Sequence, residues 1–135
     1  MRIVFTFIFF CFLNIGLFSQ NSPVGYWSSH TSFNTSVSIS YNGNDIYCAS
    51  RNTLFKYNKS DQSVETYSKV DGLSDIGIQK IKYHSNTNQL LIGYETGIID
   101  LFSNGTFSKV DDIKRSTILG SKSIHDFYFI DQLCY

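Results

Sequence analysis

The stretch "LLIGYETGIIDLF", Leu90 to Phe102, has an altered copy in "IYCASRNTLFKYN", Ile46 to Asn58, standing 44 positions earlier (90 − 46). Each copy is two apolar runs around a short polar turn, the pattern of a β-hairpin. Repetition constrains the chain more than composition does, because each unit of a repeat buries its apolar face against its neighbour. A second echo pairs "YSKVDGLSD", Tyr67 to Asp75, with "FSKVDDIKR", Phe107 to Arg115, at an offset of 40 (107 − 67). The four residues are lost after the hairpin, where "NKSDQS" gives way to "SNG". Asn-Gly supplies the positive φ angles of a two-residue type I′ turn, so a shorter loop is mechanically sound there.

The spacing predicts four short antiparallel strands per unit: Val37 to Tyr41, Ile46 to Ser50, Leu54 to Tyr57 and Val64 to Lys69. The second unit runs Ile78 to Tyr83, Gln89 to Tyr94, Ile98 to Phe102 and Thr106 to Val110, and "SIHDFYFIDQLCY" opens a third. Four strands every 40 to 45 residues is the signature of a β-propeller blade. A β-sandwich also uses short strands, yet it does not predict self-similarity at a fixed period. The fold class expected is therefore all-β: a propeller fragment of two four-stranded antiparallel blades, about 37–69 and 78–110, plus an incomplete third at 124–135. Propellers need roughly four to eight blades to close, so an arc with open sheet edges is expected. The second strand of each unit is nearly all apolar, which predicts burial on both faces. Gly93 and Gly97 read as sites of close approach and tight turning.

The first residues, "MRIVFTFIFFCFLNIGLFSQ", place Arg2 before an aromatic and aliphatic run with a polar exit, the grammar of a secretory leader. Thr6 and Asn14 interrupt the run, which is shorter than the roughly 20 apolar residues of a membrane span. A leader at 1–19, an exported chain from 20 to 135 and no membrane span in that mature segment are expected. Cys11 follows bulky Phe10 inside the apolar run, which argues against lipidation. Cys48 and Cys134 then remain, each in a strand run of a different unit, where a free thiol behaves as a small core residue. No Cys48–Cys134 bridge is expected.

Eleven basic residues balance eleven acidic ones, which leaves no global field for nucleic acid or an anionic membrane. His30, His84 and His125 are far apart, without the convergent ligands of a zinc site, and read as surface or hairpin residues. Asp71, Asp75, Asp111 and Asp112 fall in the connections between units, where turn-capping explains them better than acid–base chemistry. No nucleophile triad, P-loop or Gly-rich phosphate signature is present. No catalytic residue, cofactor or metal is expected. "DIKRSTILGSKS", Asp112 to Ser123, carries Lys114, Arg115 and Lys122 in one long connection, and these are the candidates for contact with a partner or an anionic glycan.

"DGLSDIGIQKIKYHSNTNQLLIGYETGIIDLF" resembles the propeller repeat of bacterial two-component regulators. "VGYWSSHTSFNTSVSIS" and "DIKRSTILGSKSIHDFYF" are more specific, and resemble the N-terminal propeller of the PorZ-like surface proteins of the type IX secretion system. The resemblance implies a longer protein of two propellers and a C-terminal β-domain. It would be displayed on the outer-membrane surface, binding anionic lipopolysaccharide and delivering it to the sortase complex that attaches secreted cargo. It implies an accessory role without enzymatic residues. The alternative is the periplasmic sensor region of a hybrid two-component regulator, which uses the same repeat; a propeller glycosidase or lyase is weaker, since no carboxylate pair is present.

Overall fold

Blade 1 of the computed structural model is a meander of β1 (Ser36–Tyr41), β2 (Asp45–Ser50), β3 (Leu54–Asn58) and β4 (Val64–Tyr67). Blade 2 repeats it with β5 (Ile78–His84), β6 (Gln89–Tyr94), β7 (Ile99–Ser103) and β8 (Thr106–Val110). The order in each sheet is sequential and every pairing antiparallel. Residues 35–130 and 133–135 are described; the expected leader, the Trp27 stretch and His30 lie outside them. The third unit contributes β9 (Phe129–Ile130) and β10 (Leu133–Cys134), extended by mutual backbone bonds of 2.7 Å between Tyr128 and Tyr135. The expected strand from Ser123 onward is thus confined to its last residues, and Ile124 instead donates its N–H to the Tyr94 carbonyl at 3.2 Å.

Blade 2 lies face to face on blade 1, with the first strands β1 and β5 adjacent. The period-2 alternation of "SVSIS" turns Ser38 and Ser40 toward blade 2. There the Ser38 hydroxyl accepts from the Ile81 N–H (3.2 Å) and the Ser40 hydroxyl from the Tyr83 N–H (2.9 Å). Those donors sit on the edge of β5 that no strand pairs among the described residues, so serine side chains satisfy groups that would otherwise be an exposed pairing edge. The core between the blades joins Tyr47, Ala49 and Leu54 to Ile78, Ile81, Leu90, Ile92, Tyr94 and Phe102, all 5% exposed or less. Tyr67, Phe102 and Phe107 close its outer end with centroids 4.6 to 5.5 Å apart, a separation suited to edge and offset aromatic contact.

Both-face burial holds for β6, where every residue after Gln89 is buried, but not for β2, where Ile46 and Cys48 are half-exposed. The reason is coverage: β6 has blade 1 on one face and the third unit on the other. Cys48 is free but only half-buried, and Cys134 is free and exposed, so neither is the core residue expected. Gly93 is buried, and a Cβ there would lie 2.5 Å from Ile124 Cγ2 and 3.0 Å from Phe127 Cζ. Side chains of the third unit, rather than backbone, make that close approach.

The second echo is not a structural repeat. "SKVD" at 108–111 is mostly strand, whereas at 68–71 it is a 3-10 turn, Lys69–Asp71. β4 therefore stops at Tyr67 rather than Lys69. In register, Phe102 faces Phe107 as Tyr57 faces Val64, which makes Phe107 the counterpart of Val64 and not of Tyr67. Two causes act together. The Asn104–Gly105 turn, with φ of 50° and 78°, returns the chain at once into pairing with β7. In the first copy the Asp71 carboxylate accepts from the Ser68 N–H (2.9 Å) and hydroxyl (2.6 Å), and Gly72 follows at φ 125°. Asp112, which stands in Gly72's sequence place, disfavours that conformation. The hairpins differ as well: Ala49 pairs Leu54 but Gly93 pairs Ile99, one residue more in the second turn.

Candidate functional site

The antiparallel meander sends the β2–β3 and β6–β7 turns and the two connections between units to one end of the sheets. They are tied together there. The Arg51 carbonyl accepts from Gly77 N–H (2.7 Å), the Gly77 carbonyl from Glu95 N–H (2.9 Å), and Arg51 pairs with Glu95 at 2.7 Å. The basic connection begins with a short helix, α1 (Asp112–Arg115), and then crosses the β6–β7 turn, where a Cβ on Gly97 would meet the Lys122 carbonyl at 3.0 Å.

The three basic candidates sit in this connection, each with an internal partner. Lys114 lies 3.6 Å from Asp75, and Arg115 lies 2.9 Å from Asp111 and 3.2 Å from Asp112. Lys122 folds inward and donates to the carbonyls of Lys114 (2.8 Å) and Ser116 (2.7 Å). Lys122 thus orders the loop, while Lys114 and Arg115 remain 48% and 70% exposed. Exposed ion pairs contribute little to stability, a median of about 0 to 1 kcal/mol.

Asp75 is the hub of this end. Partial burial works against its charge, yet the Ile76 N–H, the Thr96 hydroxyl, Lys114 and Lys69 together hold its carboxyl below the ordinary range. The hydrogen bond from Lys109, then Arg115, likewise lowers Asp111 against a smaller effect of desolvation. Asp71 caps a turn, as expected of it.

Two buried polar residues were not legible in the sequence. Asp100, fully buried in β7, accepts from the Ser74 N–H (2.8 Å) and the Tyr94 hydroxyl (2.6 Å), pinning the connection between blades to the sheet. Burial and then Asp100 itself push the Tyr94 hydroxyl above the ordinary phenol range. The signal available was a lone acid inside the apolar run "GIIDLF". His84, expected as a surface or hairpin residue, stands at the β5–β6 hairpin yet is 7% exposed, holds Thr87 at 2.9 Å and stacks on Phe129 at 4.2 Å. The third unit covers it, which its place in a hairpin did not reveal.

Among the described residues no three His, Cys, Asp or Glu side chains converge as a metal site, and no helix is long and apolar enough to cross a membrane. The sequence profile described as TSS9, PorZ, N-terminal beta-propeller domain matches residues 46–135. Among solved structures, the chain is similar to PorZ, an essential bacterial surface component of the type-IX secretion system of Porphyromonas gingivalis. The TM-score is 0.64 at 20% identity, over 70% of this chain and 13% of that one. The extracellular domain of BT4673 from B. thetaiotaomicron, described as a hybrid two component system, gives 0.49 at 21% identity over 62% of this chain and 11% of that one. No curated protein sequence matches. With two four-stranded meanders packed face to face and a profile match that runs from the second strand of the first through the whole of the second, the chain belongs to the PorZ N-terminal β-propeller domain family of the type IX secretion system.

Proposed function

We propose that this chain is the N-terminal part of an exported, non-enzymatic protein of the outer-membrane surface, acting in type IX secretion by binding rather than by chemistry. The observation that carries the reading is the family match over residues 46–135. An Arg2-led apolar leader supports export. The finer reading is that the protein binds anionic lipopolysaccharide and delivers it to the sortase complex that attaches cargo. In this reading the connection end makes contact through Lys114 and Arg115, with Lys122 holding the loop in shape. Because these cations already have internal partners, an anionic ligand exchanges ion pairs instead of adding them, and its binding weakens as salt rises.

Deleting the gene in its host tests the role: secreted cargo is expected to accumulate unprocessed or unanchored. Loss of only a carbohydrate-induced transcriptional response would replace this reading with that of a periplasmic sensor. Simultaneous alanine substitution of Lys114, Arg115 and Lys122 in the full-length protein is expected to weaken binding to lipopolysaccharide vesicles without unfolding the blades. Unchanged binding would reduce the loop to a solvated connection.

A further inference from the structure

At the opposite end of the sheets, the β1–β2, β5–β6 and β7–β8 turns surround a cleft of about 160 Å³ between the blades. Tyr47 and Tyr83 line it, stacked with centroids 6.2 Å apart and planes 11° from parallel. Asn42, Asp45, Lys56 and Asn88 supply its polar groups. Both blades contribute, so the cleft exists only where they pack.

These polar groups are partly paired: Asn42 donates to Asp45 Oδ2 at 3.1 Å and accepts from the Asp45 N–H at 2.7 Å, and the Tyr83 hydroxyl donates to Asn88 at 3.2 Å. The contacts from Asn42 to the Tyr47 hydroxyl and from that hydroxyl to Asp45 are each 3.4 Å, at the outer limit of hydrogen bonding. Asp45 Oδ1 is enclosed with no partner at all. Asp100 at the other end also leaves Oδ1 without a partner; its second oxygen is bound at 2.6 and 2.8 Å, that of Asp45 less closely, at 3.1 and 3.4 Å. An under-satisfied polar group is costly in the protein interior, but Asp45 Oδ1 is sealed by the protein; the polar groups a ligand meets are the lining side chains of Asn42, Asp45, Lys56 and Asn88. Burial, then the Asp45 charge, raises the Tyr47 hydroxyl well above the phenol range, so it stays a protonated donor.

Charge and size select the ligand class. An anion meets the Asp45 carboxylate, and a cation meets the Lys56 ammonium, which is paired with Glu65 at 3.1 Å. A neutral molecule with adjacent hydroxyls suits both, donating to Asp45 and accepting from Lys56. Its C–H face suits the half-buried Tyr83 ring. The volume equals that of about five waters of the liquid, enough for one six-membered ring. We infer that the cleft between the blades is a binding site for a neutral polyol ring the size of a single hexose. It uses the end of the sheets away from the basic connection and does not depend on the proposed role of that loop.

The test is ligand-observed saturation-transfer NMR on the full chain, with D-mannose and D-galactose as probes and sodium acetate and ammonium chloride as charged controls. A lone ring is expected to bind in the millimolar range, with transfer from at least one hexose and none from acetate or ammonium ion. Asp45→Asn removes the carboxylate charge. Asn88→Gly removes a lining side chain at a turn whose φ of 52° glycine accepts readily. Each is expected to weaken hexose binding by about three- to tenfold, the effect of one lost hydrogen bond. Because Asn88 is on an exposed turn, its variant retains the fold even if the Asp45 variant does not. Absence of transfer from both hexoses, undiminished binding in both variants, or charged probes binding as well as the sugars would each overturn the assignment.

Discussion

Ile39 of blade 1 and Ile81 of blade 2 hold the same place in their sheets, opposite Cys48 and Ile92 respectively. Ile39 is 68% exposed and Ile81 is 1% exposed. Tyr41 and Tyr83 repeat the contrast, the first exposed and the second half-buried. The two blades are written in the same alternation, so the difference lies in what stands on each face. Blade 2 has a neighbour on both sides, whereas among the described residues the outer face of blade 1 has none. An apolar face is therefore a statement about assembly: it contributes to stability only when another sheet covers it.

Core truncations sharpen this comparison most. Ile92→Ala is expected to destabilise the chain by about 2 to 5 kcal/mol through lost burial and a cavity, while its register counterpart Cys48→Ala is expected to shift stability by less than about 1 kcal/mol. Urea unfolding of both variants reads the difference. Equal losses would show that the outer face of blade 1 is covered after all. Gly93→Val is next, at about 1 to 3 kcal/mol, because the new side chain collides with Ile124 and Phe127. Adding Ile124→Ala should recover part of that loss, which backbone crowding would not allow.

The two "SKVD" segments give the next test. Gly72→Asp places an ordinary residue at φ 125°, where a Cβ also lies 2.8 Å from the Phe107 ring, and is expected to cost about 1 to 2 kcal/mol. The reciprocal Asp112→Gly meets no such requirement and is expected to change stability by less than about 0.5 kcal/mol. Thermal melts of the two variants would measure the asymmetry.

The smallest effect is electrostatic and confined to acid. Since Asp75 titrates below its unfolded value of about 3.9, its contribution is present above that pH and is lost as pH falls through the folded value. Asp75→Asn should lower stability slightly at neutral pH, meet the parent chain in acid where that contribution is already lost, and so make the acid limb of a pH–stability profile shallower. A profile parallel to that of the parent chain would mean that Lys69 and Lys114 do not engage it in solution.

Strands were legible because period-2 alternation and turn residues are local signals, and they located seven of the eight blade strands to within one residue of both ends. The exception was β4, whose expected end ran two residues too far, because "SKVD" has no conformation of its own. The candidate site was legible only as a cluster of charges. That Lys114 shares a carboxylate with Lys69 depends on Asp75, 39 positions before it (114 − 75) in the other connection. That Lys122 spends its donors on carbonyls depends on where the loop crosses the sheet. Asp45 and Lys56 sit in one cleft with Tyr83 and Asn88 only because the blades pack, and no spacing within either repeat announces it.

By itself, then, the sequence determined the local program of this protein: all-β, two hairpin-built units of four strands, an Asn-Gly turn that tightens the second, and no strong net charge. Those features follow from side-chain alternation and allowed φ angles, which act over a few residues. Only the tertiary structure decided which of two equivalent apolar faces is buried, whether "SKVD" is strand or turn, and which polar groups meet between the blades. Alternation marks a face as apolar but does not say what covers it, and pairing register depends on loop length and neighbouring sheets, which are properties of the packed chain.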